Sequence, residues 1–378
     1  MDHTTKVLAI AESSMGHKTH IMTMQKYFES SSCHVDIYWS DQEREIFARV
    51  INRMLNLRFP NKLVQSYNLD LFRFRAQLGY ALLAKRLIDR KINQGDYNVL
   101  FFHTQPLAFL SLNLTQKMPS VVSIDMTNKQ AAEEFTNKHK WTYSPNKFLE
   151  RQVYLKCSKI LTWTAWARSS VINDYGIHPD KVKVIPPGVD TTHLVFIDRN
   201  HKSSQDLYNI LFVGGDFKRK GGEDLLTVFL AQFADKAILH IVTSLNAVKC
   251  DHPNVCIYSG VEAYSSLWCE LYRQADAFVM PTYADAFGIV FIEAMASGLP
   301  VIASKLTQTT EIVREGKTGF LITPGDRQEL ANKLQLLIDN PSLGRQMGKI
   351  ARQIVEERFD TQKNFQKIES IFEDLAHA

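Results

Sequence analysis

Short runs of apolar residues alternate with longer stretches of helical periodicity along the chain. This alternation predicts an α/β fold in which helices join the strands of parallel sheets. The predicted strands are Lys6 to Ala11, His34 to Trp39, Val99 to Phe102, Ser120 to Ile124, Ile160 to Thr164, Lys183 to Ile185, Asn209 to Val213, Ile238 to Val242, Val255 to Tyr258, Ala277 to Met280 and Val301 to Ser304.

The strand series is interrupted once, by the turn Pro186-Pro187-Gly188-Val189-Asp190 and the polar stretch Asp198 to Asp206 that follows it. A rigid turn followed by a hydrophilic connection is typical of a domain boundary. The length of 378 residues is also more than one core of ordinary size accommodates. We therefore expect two domains.

The composition, 45% hydrophobic and 22% charged, is that of a soluble globular protein. A net charge of +4 is too small to indicate a nucleic-acid partner. The chain has no apolar run of membrane-spanning length and no signal-peptide pattern at its start, so we expect a cytoplasmic protein. The five cysteines form neither a paired framework nor a CxxC metal signature, which predicts reduced core thiols.

The segment from Ala277 to Ser304 contains two apolar strands on either side of a short helix, which ends at Ser297-Gly298 with Pro300 just beyond. Such a β-loop-α-β unit belongs to a parallel sheet. Ligands of these sheets bind beyond the carboxyl ends of the strands. The loop before the helix is therefore a candidate binding loop.

Polar groups near the start of that helix suit a sugar attached to a phosphate. The backbone amides of Phe287, Gly288 and Ile289 lie at the positive end of the helix dipole, where an anion is favoured. The carboxylates of Asp285 and Glu293 can accept hydrogen bonds from vicinal hydroxyls.

The acid-x7-Glu spacing of Asp285 and Glu293, followed by Ala-Met-Ala-x-Gly-x-Pro-Val, resembles the signature of retaining, family-4-type glycosyltransferases. The resemblance implies the GT-B fold, in which two Rossmann-like domains face a central cleft. It further implies that Asp285 contacts the donor sugar and Glu293 the ribose of the nucleotide. The family usually has Glu at the first position, and the shorter Asp285 alters the geometry of that contact.

The resemblance also implies domain roles. Residues 1–190 would form an acceptor-side domain, and residues 191–361 a nucleotide-sugar-binding domain. The last predicted helices are interrupted at Phe359-Asp360-Thr361, and in this family the terminal helix, here residues 362–378, returns to the first domain.

Three consecutive cations, Lys218, Arg219 and Lys220, lie between two glycine pairs after the strand that ends at Val213. A guanidinium grips two phosphate oxygens and an ammonium group adds a compact charge, which suits a diphosphate leaving group. Such charge replaces a divalent metal, so we expect neither metal nor cofactor. In the family pattern a Gly-Arg pair precedes Lys-Gly; Lys220 matches, whereas Gly215 stands at the Arg position and leaves that role to Arg219.

The predicted loop from Glu12 to His20 follows the first strand and contains the single glycine Gly16. A dinucleotide fingerprint requires GxGxxG, which weighs against an NAD(P) oxidoreductase. The resemblance implies that Gly16 allows close approach of donor phosphates and that His17 touches the acceptor or phosphate. His103 and Asp125 end two other strands and are further acceptor-side candidates, Asp125 lying where relatives often have a histidine.

Between Arg44 and Lys91 eleven Lys or Arg residues are interleaved with apolar residues and only three acids. Such a segment fits an anionic membrane surface or an acidic acceptor. A helix that packs on the first domain and exposes its basic side accounts for the same pattern.

We therefore expect a retaining, metal-independent hexosyltransferase. It would move a sugar from a nucleotide-diphosphate sugar, with a UDP-sugar as the favoured donor, to a hydroxyl of a glycan, lipid or small molecule. A phosphorylase or sugar-phosphate synthase of the same fold, a Rossmann oxidoreductase and a non-catalytic nucleotide-sugar-binding protein are the alternatives.

Overall fold

The computed structural model describes residues 5–13, 15–135, 139–198 and 207–377. The chain divides into two compact units, one formed by Met1–Pro186 with Gln362–Ala378 and the other by Pro187–Thr361. Most of the polar connection predicted from the sequence, residues 199–206, lies outside the described residues.

The strands of both units agree closely with the apolar runs of the sequence. They are β1 (Lys6–Ala11), β2 (His34–Trp39), β3 (Val99–Phe102), β4 (Ser120–Ile124), β5 (Lys159–Thr162), β6 (Val182–Val184), β7 (Tyr208–Val213), β8 (Ala237–Thr243), β9 (Val255–Ser259), β10 (Ala277–Met280), β11 (Val301–Ser304) and β12 (Gly319–Ile322).

Helices connect these strands. They are α1 (Met15–Phe28), α2 (Ile46–Leu55), α3 (Lys62–Tyr67), α4 (Phe72–Ile92), α5 (Leu114–Lys117), α6 (Asn128–Glu134), α7 (Ser144–Lys156), α8 (Ala165–Asn173), α9 (Gly222–Gln232), α10 (Ser266–Gln274), α11 (Ile289–Ala296), α12 (Arg327–Asp339), α13 (Pro341–Arg358) and α14 (Thr361–Ala376). Short 3₁₀ turns occupy Ser40–Gln42, Gln105–Ala108, Lys140–Tyr143, Pro179–Lys181 and Thr309–Glu311.

Polar side chains cap several of these helices. Thr127, Thr164, Ser265 and Asp326 each accept a hydrogen bond from a backbone N–H in the first turn of the helix that follows. These bonds satisfy amides that have no partner within the helix.

The first unit contains a six-stranded parallel sheet in the order β2-β1-β3-β4-β5-β6. Alternate residues of its central strands belong to two separate apolar clusters: Leu8 and Ile10 pack in one cluster, and Val7 and Ala9 pack in the other. Both faces of the sheet are therefore covered, which explains why its strands read as continuous apolar runs.

The helix α14 belongs to the first unit. Its residues Phe365, Ile368, Ile371 and Phe372 are buried in the same cluster as Val7. Asn364 Nδ2 also donates a hydrogen bond to the carbonyl oxygen of Pro186 over 3.1 Å. The expectation of a terminal helix that returns to the first domain is thereby confirmed.

The second unit contains a six-stranded parallel sheet in the order β12-β11-β10-β7-β8-β9, which is the order of a Rossmann fold. The predicted α/β class with two Rossmann-like units is confirmed. The strand β12 was not predicted because it is short and begins with Gly319, whose Cβ position would lie 1.8 Å from the carbonyl oxygen of Val301.

Two smaller predictions need correction. The segment after β1 is not a loop as far as His20, because α1 begins at Met15 and buries Ile21, Met24 and Phe28 against the sheet; Ser14 lies outside the described residues. All five cysteines are free thiols, but only Cys33 and Cys157 are buried in the core.

Candidate functional site

In each unit the strand order reverses once, between β1 and β3 in the first unit and between β7 and β10 in the second. Loops at the carboxyl ends of such strands diverge and leave a crevice between them. The candidate residues of the second unit lie in the loops after β7 and β10 or in α11, which follows the second of these loops, and those of the first unit follow β1, β3 and β4. Both sets therefore lie where ligands of open α/β sheets bind.

The loops after β7 and β10 are joined by the cationic residues. Lys220 Nζ donates a hydrogen bond to Oδ2 of Asp285, and both side chains are largely buried. Arg219 Nη1 donates to the carbonyl oxygen of Ala284 over 2.7 Å, while its Nε donates to Asp216 Oδ2 over 2.9 Å. The structure thus brings three predicted site residues together from two distant parts of the sequence.

Close backbone packing holds these two loops against each other. Gly221 has a φ of +76°, and a Cβ atom on it would lie 2.0 Å from the carbonyl oxygen of Pro281. The amide of Tyr283 donates to the carbonyl oxygen of Arg219 over 2.9 Å. Only glycine fits at position 221, because the left-handed backbone and the close approach both disfavour a side chain.

The start of α11 lies beside this contact. Gly288 precedes the helix with a φ of +80°, and a Cβ atom there would lie 2.7 Å from the ring of Phe291 and 3.1 Å from Asp285 Oδ2. Asp285 Oδ1 accepts a hydrogen bond from the amide of Ala286 over 2.9 Å. The space left by the missing side chain of Gly288 is therefore occupied by the Asp285 carboxylate and the Phe291 ring.

The other predicted residues of this site have different environments. The side chain of Phe287 is buried, with its ring 6.1 Å from that of Phe359, so only its backbone is suited to ligand contact. Ile289 is the first residue of α11, and Gly215 lies in the turn that follows β7.

Glu293 is buried rather than exposed at the surface of its unit, with 3% of its area accessible. Its Oε2 accepts a hydrogen bond from the Tyr272 hydroxyl over 3.2 Å, and Tyr264 donates a second. Burial raises the pKa of Glu293 to about 8, although the two tyrosine hydrogen bonds oppose the shift. The side chain is therefore mostly protonated at neutral pH.

Gln308 is a neighbour of this site that the sequence interpretation missed. Its Nε2 donates a hydrogen bond to the carbonyl oxygen of Asp285, and the side chain is fully buried. Because this bond holds the backbone at position 285, Gln308 helps to fix where the Asp285 carboxylate points. No local motif surrounds Gln308 in the sequence, so nothing there indicated its role.

In the first unit a cavity of about 440 Å³ opens at the ends of β1, β3 and β4. Polar side chains from several elements line it. They include Glu12, His17, Arg73, Gln77, Asp125 and Asn128.

His17 and Asp125 meet in this cavity. His17 Nε2 lies 3.3 Å from Asp125 Oδ2 and 3.9 Å from Glu12 Oε1. Burial lowers the pKa of His17, but the hydrogen bond to Asp125 and the charges of both carboxylates outweigh burial, so the pKa is raised above its usual value. The pair offers a hydroxyl-bearing ligand both a donor and an acceptor. Gly16 precedes His17 in the first turn of α1 and is exposed.

His103 does not lie at the rim of the crevice, as predicted, but is fully buried behind the cavity. Its ring lies 4.9 Å from that of His17 and 5.5 Å from that of His20. Burial, together with these two histidines, lowers the pKa of His103 well below its usual value, so the ring is neutral. The strand β3 ends at Phe102 as predicted, but His17 and His20 of α1 cover the His103 side chain that follows it.

Glu150 holds the wall of this cavity and was not predicted. It is fully buried, and its carboxyl group accepts hydrogen bonds from Gln105 Nε2 over 2.8 Å, from the backbone amide of Asn128 over 3.0 Å and from the Tyr154 hydroxyl over 2.8 Å. The Tyr175 hydroxyl also donates to it. Despite these bonds, burial raises the pKa of Glu150 to about 7.

Two general features of the described residues bear on function. No group of three or more His, Cys, Asp or Glu side chains among them is arranged to hold a metal ion. Within the same residues, no helix combines the length and apolarity needed to cross a membrane. The expectation that the protein needs no metal stays a prediction.

Family models match both parts of the chain. Residues 15–193 match the model described as Glycosyltransferase Family 4, and residues 196–354 match the model described as Glycosyl transferases group 1. The capsular polysaccharide biosynthesis glycosyltransferase CapM of Staphylococcus aureus is 30% identical over 187 residues, which cover 46% of this chain and 48% of CapM. The chain thus spans about half the length of that relative.

Solved structures share the fold over almost the whole chain. Sucrose-phosphate synthase from Thermosynechococcus elongatus has a TM-score of 0.74 at 16% identity, covering 98% of this chain and 99% of that one. Anabaena HepE in complex with UDP and glucose has a TM-score of 0.69 at 18% identity, covering 98% and 100%. These structures show the GT-B fold. The two family models, which together match residues 15–193 and 196–354, show that the chain belongs to the family-4-type glycosyltransferases.

Proposed function

We propose that this protein transfers a sugar from a nucleotide-diphosphate sugar to an acceptor hydroxyl, with retention of the anomeric configuration and without a metal ion. The observation that carries the proposal is the contact between Lys220 and Asp285 beside the start of α11. It supports the proposal because a cation suited to a phosphate lies next to a hydrogen-bond acceptor suited to a sugar. The acceptor molecule would be a glycan, a lipid or a small molecule.

Lys220 can serve the sugar and the phosphate sides of the donor at once. An ammonium group has three donor hydrogens, so Lys220 can keep its bond to Asp285 and still donate to a phosphate oxygen. Arg219, although bonded to Asp216 and Ala284, adds positive charge in the same loop. These cations would stabilise the negative charge that develops on the departing nucleotide diphosphate.

Glu293 would bind the ribose through its carboxyl group. Two ribose hydroxyls donate best to an ionised carboxylate, which is the form that burial disfavours in the free protein. Nucleotide binding would therefore lower the pKa of Glu293 and release a proton. Tyr272 and Tyr264 would hold the carboxyl group in place while it loses its proton and binds the ribose hydroxyls.

The first unit would supply acceptor contacts from its cavity. Asp125 can accept a hydrogen bond from a hydroxyl, and His17 can donate one. In the transfer step the acceptor oxygen forms a bond to the anomeric carbon while the bond from that carbon to the diphosphate breaks. The acceptor proton passes to the departing phosphate oxygen, so no covalent enzyme intermediate is needed.

A UDP-sugar is the favoured donor. In support of this choice, the HepE structures that share the fold contain UDP, UDP with glucose, or UDP-glucose. A thermal-shift screen of UDP-, GDP- and ADP-sugars tests the choice directly. Stabilisation by UDP-sugars alone is the expected result, and stabilisation by none of the three would contradict the proposal.

The same screen, followed by turnover assays, separates the alternatives. A phosphorylase or sugar-phosphate synthase would need inorganic phosphate or a sugar phosphate as co-substrate, and a non-catalytic binder would show stabilisation with no turnover on any acceptor. Cytoplasmic localisation and membrane contact through residues 44–91 stay predictions at this point.

A further inference from the structure

Large apolar side chains are concentrated on the surface of one short segment of the first unit, residues 46–63. Seven of them are at least half exposed. They are Ile46 (78%), Phe47 (63%), Val50 (51%), Met54 (62%), Leu57 (61%), Phe59 (62%) and Leu63 (65%). Single exposed apolar residues are common, whereas a concentration of this kind marks a surface that contacts something other than water.

The helix α2 presents four of these side chains on one face. Ile46, Val50 and Met54 are spaced four residues apart, and Phe47 lies next to them on the helical surface. The opposite side of the helix faces the protein: Ala48 is fully buried. A Cβ atom on Gly79 of α4 would lie 2.2 Å from Asn52 Oδ1. The helix is therefore fixed through its small and polar side, and its apolar face points away from the unit.

Cations flank this apolar face. Arg49 and Arg53 follow Ile46 by three and seven residues, which places them along one border of the face. Among the described residues, no acidic side chain forms an ion pair with either arginine. An apolar face bordered by free cations is complementary to a surface that is apolar inside and anionic at its boundary.

The rest of the basic region has a different environment. On α4, Arg75 pairs with Asp70, Lys85 with Asp89, and Arg90 with Glu43. The apolar side chains of this helix, such as Leu83 and Leu87, are buried in the core. For α4 the basic pattern of residues 44–91 thus reflects ordinary packing on the domain, whereas the apolar side chains that are at least half exposed in this region lie within residues 46–63.

We propose that residues 46–63 dock the first unit on an anionic lipid bilayer. The apolar face of α2 enters the boundary of the acyl chains, and Arg49 and Arg53 lie at the level of the anionic headgroups. A second copy of the chain fits this surface less well, because a symmetric interface centred on α2 would bring the same arginines of both copies together. The inference is independent of sugar transfer, since lipid binding requires neither donor nor acceptor.

The test is flotation of the whole protein with vesicles of phosphatidylcholine alone or of phosphatidylcholine with phosphatidylglycerol. The wild type is expected to float with the mixed vesicles, and raised salt is expected to weaken binding because it screens the headgroup charge. A variant that combines Ile46→Gln, Phe47→Gln, Val50→Gln and Met54→Gln should lose binding. The pair Arg49→Gln with Arg53→Gln should weaken it about fivefold per charge.

Matched controls use exposed residues elsewhere. Leu245→Gln with Leu267→Gln removes exposed apolar side chains of the second unit, and Lys117→Gln with Lys140→Gln removes two surface cations; both pairs should bind vesicles like the wild type. Equal binding to neutral vesicles would overturn the anionic assignment. Unchanged binding by both α2 variants would overturn the surface. If the wild type does not float but forms a dimer, and the α2 variants are monomeric, the apolar face binds a second copy of the chain instead.

Both α2 variants change exposed side chains only, so thermal unfolding should match that of the wild type. The arginine pair leaves every apolar contact intact. It therefore tests the proposal even where the fourfold variant unfolds.

Discussion

The ammonium group of Lys220 donates a hydrogen bond to Oδ2 of Asp285, although 65 residues separate them in the sequence. The bond connects the loops at the ends of β7 and β10, the two neighbouring strands at which the order of the second sheet reverses. A ligand anion that reaches Lys220 therefore also lies close to a carboxylate. That combination favours a donor with phosphate and hydroxyl groups side by side over a bare phosphate.

We predict that Lys220→Gln weakens UDP binding roughly tenfold to a hundredfold, the value of a charge-assisted hydrogen bond. Isothermal titration calorimetry with UDP measures this loss. Lys218→Gln is the matched control, because Lys218 is an exposed cation of the same loop. Equal losses for both variants would mean that general positive charge, and not the position of Lys220, binds the diphosphate.

We predict that Glu293→Ala weakens UDP binding and that wild-type binding releases protons near neutral pH. The reason is that the ribose hydroxyls stabilise the ionised form of a carboxyl group whose pKa burial raises to about 8. Calorimetry in buffers of different ionisation enthalpy counts the protons. Unchanged UDP affinity of Glu293→Ala would remove the ribose assignment.

Glu293 also makes stability depend on pH. Its pKa is about 8 in the folded protein, compared with 4.5 for an unperturbed glutamate, so between these values the folded state binds a proton that the unfolded state lacks. The stability that this proton contributes is present at low pH and declines as pH rises through about 8. Glu293→Gln cannot titrate, and its melting temperature should lose this part of the pH dependence. Parallel melting curves of variant and wild type from pH 5 to 9 would contradict the assignment.

We predict that Asp125→Asn lowers the pKa of His17. The hydrogen bond and charge of Asp125 raise this pKa against the effect of burial, and without them burial prevails. In the wild type the raised pKa contributes stability that is present at low pH and is lost as pH rises through the folded pKa. NMR titration of the His17 ring measures the shift, and an unchanged pKa in Asp125→Asn would show that Glu12 alone sustains it.

We predict that Glu150→Ala destabilises the first unit by roughly 3 kcal/mol or more, because it leaves several buried donors without an acceptor. Gln105, Tyr154, Tyr175 and the amide of Asn128 all donate to this carboxyl group. Thermal and urea unfolding measure the loss. Glu133→Ala removes an exposed carboxylate nearby and should have little effect.

Two glycines separate the effect of backbone strain from that of close packing. Gly176 and Gly221 both have a left-handed backbone conformation. A Cβ atom on Gly176 would have no neighbour within 4 Å, whereas a Cβ atom on Gly221 would lie 2.0 Å from the carbonyl oxygen of Pro281. We predict a loss of about 1 kcal/mol for Gly176→Ala and a larger loss for Gly221→Ala. Only Gly221→Ala should also weaken UDP binding, because it pushes apart the loops that carry Lys220 and Asp285. Equal losses in both variants would show that the contact with Pro281 relaxes without cost.

The strands of the first sheet were predictable from the sequence because both faces of the sheet are covered. Val7 and Leu8, for example, are buried on opposite faces, so every position of the strand from Val7 to Ala11 is apolar. The sequence also indicated that Lys220 and Asp285 both lie in loops that follow strands, but it did not predict the hydrogen bond between them. The setting of Glu293 was not predicted either. Its partners Tyr272 and Tyr264 belong to α10 and to the turn before it, and the spacing of residues in the sequence does not show which helices pack together. Glu150 was missed for the same reason, since its donors come from separate elements.

The packing of α14 has a consequence for biosynthesis. Residues 1–186 leave the ribosome first, but their sheet still lacks Phe365, Ile368 and Phe372, which belong to its apolar cluster. The second unit is synthesised in full before that helix emerges. The nascent first unit therefore exposes part of its core throughout translation of the second, and the unit that is made first is the one completed last.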